Sequence, residues 1–165
     1  MERPSTNHEV AALPGVEPAL VLAILRIMLG ALFVWVFFEN LGKALYTPDG
    51  YAGLIEYYIK SGHAPAVWKS IMSVMASHAS IAAPIQGATE LTFGICLLLG
   101  LFTRPIALGA FGFLTSLWVS EWGTAWIWEL LMPMTVALCL FLGAAGRRFA
   151  VDVVLAAKFP KLPVW

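Results

Sequence analysis

Two ionisable residues lie inside long apolar runs of this sequence, where charged side chains are rare. Arg26 lies within the apolar run 19–41, and Glu90 lies near the middle of the run 79–102. Because a charged side chain is costly inside a membrane, each such residue is a candidate functional site. A carboxylate in an apolar environment can accept a proton from a bound ligand, so Glu90 is a candidate proton acceptor.

The spacing of small residues around Glu90 predicts that its side chain faces a neighbouring helix. Three small residues share one helical face with Glu90, at spacings of four, three and four residues: Ala83, Gly87 and Gly94. Small residues let a second helix approach closely. Gln86 lies one helical turn from Glu90 and is expected to join the same polar network.

Arg26 is expected to lie at nearly the same depth as Glu90, because consecutive membrane helices run in opposite directions. Two compatible interpretations follow. In the first, Arg26 and Glu90 form a structural ion pair that fixes the register of the two helices. In the second, Arg26, Gln86 and Glu90 form a proton or substrate site for a quinone-like ligand.

A second group of polar and aromatic residues lies at the ends of the apolar runs. Glu39 and Lys43 are four residues apart, in the order that favours an ion pair along a helix. Four tryptophans flank the turn between the third and fourth runs: Trp118, Trp122, Trp126 and Trp128. These tryptophans either anchor the chain at the lipid headgroups or form a platform for a ligand or partner, and both interpretations stay open.

The elements that must position these residues are helices that cross a membrane. Hydrophobic residues make up 60% of the chain and charged residues 12%, whereas a soluble domain carries about 25% charged residues. This composition excludes an ordinary soluble enzyme and a disordered chain. The net charge of zero gives no basic excess for binding nucleic acid. Four runs meet or approach the roughly 20 apolar residues that a membrane helix requires: 19–41, 79–102, 105–120 and 126–145.

The fold class that follows is an all-α membrane protein with a bundle of four transmembrane helices. Between spans one and two, residues 51–60 are expected to form a short helix. Residues 65–79 are expected to form an amphipathic helix that lies on the membrane or caps the bundle. The apolar face of that helix carries Val67, Ile71, Met75 and His78. At the turn between spans two and three, Thr103 is expected to cap the third span.

The chain divides into an N-terminal tail (1–18), a membrane domain (19–155) and a C-terminal tail (156–165). The first span is not a signal peptide, because a polar segment precedes it and no small-residue cleavage site follows. With four spans, both termini lie on one side of the membrane, and that side carries six basic residues against three on the other. The positive-inside rule therefore predicts an inner (cytoplasmic) membrane protein with both termini in the cytoplasm.

No metal or haem site is predicted. The three histidines, His8, His63 and His78, are far apart in sequence. Cys96 and Cys139 lie inside apolar runs, where cysteines are usually core residues. The sequence contains no nucleophile–base motif and no phosphate-binding loop.

Three motifs, in this order along the chain, resemble the DoxX/DoxD family of small four-helix membrane proteins. The first extends from Arg26-Ile-Met-Leu-Gly30 to Gly42-Lys43, and the second from Glu90-Leu-Thr-Phe-Gly94 to Thr103-Arg104-Pro105. The third, Gly146-Arg147-Arg148-Phe-Ala-Val-Asp152, is similar to the family's closing Gly-Arg-x-x-x-Leu-Asp pattern, with Val151 in place of leucine. The resemblance covers residues 20–155. It implies a functional role for Arg26, Glu90 and Arg104, which together with Gln86 form the predicted quinone or proton-linked polar site, and a structural role for Asp152.

The resemblance also implies a redox role. DoxD-type members are associated with thiosulfate oxidation coupled to quinone reduction, together with a DoxA-type partner. The first hypothesis is therefore a redox-linked subunit that holds or reduces a quinone near Arg26, Gln86 and Glu90, with the lipid bilayer as its surroundings. Its expected partners are other membrane or periplasmic subunits or a second copy of this chain. The alternative is a non-catalytic structural or accessory subunit of a larger membrane complex, with the tryptophan-rich turn as a contact surface. A transporter is less well supported, because the sequence has no inverted repeat.

Overall fold

The described part of the chain is all-helical. The computed structural model describes residues 17–143 and 145–160, and within them it has seven α-helices, one 3-10 turn and no strand. The helices are α1 (Pro18–Gly42), α2 (Pro48–Ser61), α3 (Ala66–Ser77), α4 (Ala79–Leu99), α5 (Thr103–Ser120), α6 (Ile127–Gly143) and α7 (Val151–Lys158). The 3-10 turn, Ala145–Arg147, joins α6 to α7.

The predicted tails fall mostly outside this part of the chain. Residues 1–16, including His8, and residues 161–165 lie outside the described residues. The segment predicted as the C-terminal tail begins at residue 156, and the structure places that residue inside α7.

Four helices, α1, α4, α5 and α6, share one hydrophobic core. Its larger buried side chains come from all four helices: Leu29, Phe33, Leu97, Leu114, Met134 and Leu140. Helices α1 and α4 run antiparallel, since Arg26 lies beside Leu97 whereas Asn40, further along α1, lies beside Glu90. This arrangement creates two ends. The α2–α3 end contains the first turn of α4, and the α7 end contains the turn between α4 and α5.

The all-α class is confirmed, whereas a bundle of four transmembrane helices is not confirmed, and α7 is a helix beyond the four spans and the two helices predicted between spans one and two. Of the described helices, α1 and α4 are long and apolar enough to cross a membrane, and α6 is apolar but has 17 residues. The outer face of α1 exposes a stripe of apolar side chains, namely Ile24, Met28, Leu32, Trp35 and Phe38. Such a stripe suits contact with lipid and is unusual on a water-soluble protein.

The segment between α1 and α4 forms two helices, which include both predicted segments. Helix α2 contains residues 51–60, and α3 occupies most of residues 65–79. The two helices bury a small core of their own against the start of α4, with Tyr51, Ile55 and Met72 at its centre. The apolar face predicted for α3 is not the buried one, because Val67, Ile71 and Met75 are exposed and Met72 is buried.

Helices α1 and α4 approach closely where two glycines meet. A methyl group added at Gly30 would lie 2.8 Å from the backbone nitrogen of Leu98 and 3.0 Å from the carbonyl oxygen of Gly94. These contacts are with backbone atoms of α4, so a side chain at Gly30 requires the helices to separate. The small-residue face that the sequence predicted around Glu90 therefore does pack against a neighbouring helix.

We expect Gly30→Ala to destabilise the protein by about 1–3 kcal/mol, because overpacking forces helix movement. Gly112→Ala is the matched control, since Gly112 is also helical but has no neighbouring atom within 4 Å of the added methyl group. That control is expected to be neutral or to stabilise by up to about 1 kcal/mol, because alanine favours helix over glycine. Thermal unfolding of both variants in one detergent measures the difference. Equal melting temperatures would contradict the close approach.

Candidate functional site

The side chain of Glu90 is the centre of a buried polar cluster at the α1–α4 contact. Helix α4 turns Glu90 inward, and the residue is only 2% exposed. Its Oε2 accepts hydrogen bonds from the Tyr46 hydroxyl and from Asn40 Nδ2, the latter at 3.3 Å. Its Oε1 accepts a hydrogen bond from Gln86 Nε2 at 3.0 Å. We call Glu90, Tyr46, Asn40 and Gln86 the Glu90 cluster.

Local sequence features explain how Tyr46 reaches Glu90. Tyr46 lies in the turn after α1, and its ring stacks on Phe37 with 5.3 Å between ring centroids. On the other side, the ring covers Gly87, where an added methyl group would lie 3.1 Å from the ring. A larger residue at position 87 would displace the ring, so Gly87 and Phe37 together direct the hydroxyl towards the carboxylate.

The Glu90 cluster combines the hydrogen-bonding groups that proton exchange requires. Burial raises the pKa of Tyr46 well above its usual range, and the neighbouring Glu90 adds to the shift. The phenol therefore keeps its proton and remains a donor. One acidic group, one phenol and two amides around a single point can hold a proton and orient an oxygen-bearing ligand.

Sequence reasoning placed Gln86 and Glu90 together correctly but missed Tyr46 and Asn40 as members of the site. The sequence feature that could have identified Asn40 is its position in the last turn of α1, because this turn packs against the face of α4 that carries Glu90. Tyr46 follows that turn, and no spacing pattern connects it with Glu90. Its approach depends on the tight turn after α1, where the Leu45 N–H donates to the Asn40 carbonyl, and spacing along one helix does not reveal such a turn.

The predicted ion pair between Arg26 and Glu90 is wrong. Arg26 is fully buried at the other end of the α1–α4 contact, where Nη1 donates to the Leu97 carbonyl at 2.9 Å and Nη2 donates to the Phe149 carbonyl at 2.6 Å. Leu97 is seven residues from Glu90, which is about 10 Å along a helix. Helix α1 extends beyond the end of α4, so Arg26 lies level with the reversal after α4 and not with its middle.

Asp152 completes the polar arrangement around this reversal. Its two carboxylate oxygens accept hydrogen bonds from the backbone N–H groups of Phe102 and Thr103, each at 2.7 Å. The carboxylate therefore caps the N-terminus of α5 from a distant part of the chain, where the helix dipole favours a negative charge. Its charge also acts favourably on the Arg26 guanidinium. We use the name Arg26 clamp for this group, which consists of Arg26, Asp152 and the carbonyl groups to which Arg26 donates.

The prediction that Thr103 caps α5 is also wrong. Thr103 is the first residue of the helix, and its buried Oγ1 has no hydrogen-bond partner. Phe102 takes the position before the helix in a left-handed conformation, with φ of 49°. Asp152 replaces the expected cap, because the segment after α6 folds back over the reversal.

Arg104 does not join the Glu90 cluster either. Its guanidinium lies over the Phe141 ring, 5.5 Å from the ring centroid, at the α7 end. Arg104 lines a cavity of about 310 Å³ together with Arg147 and Asp152. The four residues predicted as one polar site therefore divide between two places. Gln86 and Glu90 lie in the Glu90 cluster, whereas Arg26 and Arg104 lie towards the α7 end.

The predicted interfacial residues lie at the α2–α3 end. Lys43 Nζ and Glu39 Oε1 form the expected ion pair, 2.5 Å apart, on an exposed surface. Trp118 stacks on Trp122 with 5.6 Å between ring centroids. Trp126 and Trp128 are exposed, at 73% and 63%. Such exposure fits both a lipid anchor and a contact surface.

Comparison with known proteins gives one match. The family model described as DoxX matches residues 21–122, which is more than half of the chain. The matched segment extends from the first turns of α1 to the turn after α5 and contains the whole Glu90 cluster. Asp152, α6 and α7 lie outside it. No curated protein and no solved structure matches the chain.

Proposed function

Because this chain belongs to the DoxX family of membrane proteins, we propose that it is a redox-linked membrane subunit that binds a quinone at the Glu90 cluster. The observation that carries the proposal is Glu90 itself. A carboxylate that is 2% exposed and accepts hydrogen bonds from three side chains is an expensive feature inside a membrane protein. Such a feature is a functional-site hypothesis by default.

The chemistry of the cluster suits a quinone head group. A quinone supplies carbonyl oxygens that accept hydrogen bonds and, on reduction, takes up electrons and protons. Asn40 and Gln86 each have a second amide N–H for those oxygens, and the Tyr46 hydroxyl, which donates its proton to Glu90, holds the carboxylate in place. Glu90 supplies the group that holds the proton at the point of exchange.

The position of the cluster suits a ligand that arrives through lipid. Phe38 of α1 and Ile85 of α4 adjoin the cluster in sequence and are 61% and 59% exposed. Tyr46, Asn40 and Gln86 are half-buried, whereas Glu90 lies behind them. A lipid-soluble head group therefore meets the donors before it reaches the carboxylate.

The membrane arrangement is part of the same proposal. Helices α1, α4, α5 and α6 cross the inner membrane, with both termini in the cytoplasm, as the distribution of basic residues favours. The α2–α3 end then faces the outer side. A partner subunit on that side supplies the electrons, and the family resemblance favours a thiosulfate:quinone oxidoreductase type of complex.

A non-catalytic accessory role is the second candidate. The observation that favours it is the exposed turn between α5 and α6, where Trp122, Trp126 and Trp128 have no covering helix among the described residues. Aromatic side chains are common in protein interfaces. In that case a partner protein, and not a quinone, would accompany the chain.

The test is the quinone content of protein purified in a mild detergent from its own membrane. We expect bound quinone in the wild type and about a tenfold or greater loss of affinity for a short-chain ubiquinone analogue in Glu90→Gln, equivalent to about 1.4 kcal/mol. Glu39→Gln is the matched control, because Glu39 is exposed and forms its ion pair with Lys43 outside the Glu90 cluster. Equal quinone binding in all three proteins would contradict the proposal. A stable partner without quinone would favour the accessory role.

A further inference from the structure

A cavity at the turn between α5 and α6 lies apart from the Glu90 cluster. Its volume is about 220 Å³. Three tryptophans and one carboxylate line it, together with apolar side chains from the start of α6: Trp118, Glu121, Trp122, Trp126, Ile127 and Leu130. The cavity is open on one side, so a solute or a lipid headgroup can enter without unfolding the turn.

The aromatic walls of the cavity favour a positive charge. Trp118 and Trp122 are stacked with an angle of 22° between their ring planes, so their inner faces cover each other and the pair presents one outer indole face to a bound cation. Trp126 forms a further wall from the beginning of α6. The face of an indole ring carries negative charge density and attracts cations, more strongly than phenyl or phenol rings do.

Glu121 contributes a carboxylate to the cavity. Its Oε1 accepts a hydrogen bond from the Tyr58 hydroxyl at 3.0 Å, which holds the carboxylate in place. No donor among the described residues reaches its Oε2. Burial and the nearby Glu129 raise the pKa of Glu121, and no basic group contributes to that shift. The carboxylate therefore lies in a place that a bound cation would stabilise.

We propose that this tryptophan-lined cavity binds a quaternary ammonium group, held by the indoles of Trp118, Trp122 and Trp126 and by the Glu121 carboxylate. The volume of 220 Å³ is several times the roughly 30 Å³ that one water molecule occupies, so a trimethylammonium group fits. Drug-sized ligands use pockets of about 300–1,000 Å³, so the cavity favours a small headgroup. The proposal does not depend on quinone binding at Glu90.

The apolar surface of a quaternary ammonium ion explains why this cation fits better than a metal ion or a protonated amine. Its methyl groups pack against indole faces, and it has no N–H groups that need acceptors. The Glu121 carboxylate, the stacked Trp118–Trp122 pair and the Trp126 ring therefore suit this cation. The same group occurs in free choline-like solutes and in phosphatidylcholine headgroups.

The test is a titration of the purified protein in a maltoside detergent with tetramethylammonium and with choline, followed by tryptophan fluorescence. We expect saturable binding of both cations and at least about tenfold weaker binding of dimethylbutanol, the neutral isostere of choline. Trp126→Ala is expected to weaken cation binding by about threefold or more, and Glu121→Gln by about tenfold. Trp128→Ala is the matched control, because Trp128 is exposed but does not line the cavity.

Two outcomes would overturn the proposal. One is equal binding of choline and its neutral isostere, and the other is an unchanged affinity in both Trp126→Ala and Glu121→Gln. Because Trp126 is exposed, its replacement leaves the fold intact and keeps the test interpretable. Reconstitution in nanodiscs separates the two sources of the cation. Loss of the choline response in phosphatidylcholine but not in phosphatidylglycerol indicates a lipid headgroup, and an equal response in both indicates a soluble cation.

The affinity for choline is expected to rise with pH. Protonation of Glu121 removes the attracting charge, so binding is weak at low pH and strengthens as pH rises through the raised pKa of this carboxyl. The groups that face Glu121 are Tyr58 from α2 and Glu129 from α6, and the His63 ring packs near Gly123 in the same turn. Because the His63 ring lies in the same turn, the titration is repeated in His63→Gln. An affinity that falls as pH rises would contradict the role of Glu121.

Discussion

Replacing Asp152 with alanine is expected to destabilise the protein by about 3–5 kcal/mol, the usual cost of removing one partner from a buried charged arrangement. Asp152 is 2% exposed and accepts two backbone hydrogen bonds at the start of α5. Its removal takes away the acceptor of the buried Thr103 N–H, and Thr103 Oγ1 does not cap the helix in its place. It also leaves the buried Arg26 guanidinium without its nearby negative charge.

Unfolding in a graded series of denaturing and mild detergents measures this loss. Asp152→Asn is expected to lie between wild type and Asp152→Ala, because the amide oxygen still accepts one hydrogen bond but carries no charge. Asp49→Ala is the matched control, since Asp49 is exposed in the first turn of α2. If Asp152→Ala is no less stable than Asp49→Ala, the capping role is wrong.

Replacing Arg26 with methionine is the second large perturbation, and we expect a loss of about 3 kcal/mol or more. The guanidinium joins α1, on which Arg26 lies, to two other segments. It donates to carbonyl groups at the end of α4 and in the segment after the 3-10 turn. Methionine has a similar length but no donors, so those carbonyl groups lose their partners. The C-terminal segment that carries Asp152 is then held less firmly.

Double-mutant cycles distinguish the observed contacts of Arg26 from the ones that the sequence suggested. Arg26→Met and Asp152→Asn are expected to couple by about 0.5–3 kcal/mol, because both side chains act on the same reversal. Arg26→Met and Glu90→Gln are expected to be additive within about 0.5 kcal/mol, since no contact joins them. A strong coupling between Arg26 and Glu90 would indicate that the two side chains form an ion pair and would contradict the observed contacts.

The family resemblance implies a functional role for both Arg26 and Glu90, but these expectations give the two residues different roles. Arg26 holds the α7 end together through backbone carbonyl groups, and Glu90 collects side-chain donors at the α1–α4 contact. A change at Arg26 should therefore affect stability more than ligand binding. A change at Glu90 should do the reverse, which allows the two sites to be tested separately.

The amino-acid sequence by itself determined the helical class, the membrane character and the inward face of α4. Apolar runs of sufficient length specify helices in lipid, because the backbone has no other partner there. Helical spacing specified that Gln86 and Glu90 lie together and that Ala83, Gly87 and Gly94 share the inward face of α4. The Glu39–Lys43 pair followed from spacing in the same way. All of these properties depend on residues within one helix.

Only the tertiary structure decided which residues meet across helices. Hydropathy does not fix the axial offset between two helices, and here that offset places Arg26 beside Leu97 and not beside Glu90. Tyr46 reaches Glu90 because of the turn after α1, and Asp152 reaches α5 because the segment after α6 folds back. A few turn residues and long-range packing determine the path of these segments, so the periodicity of a single helix does not predict it.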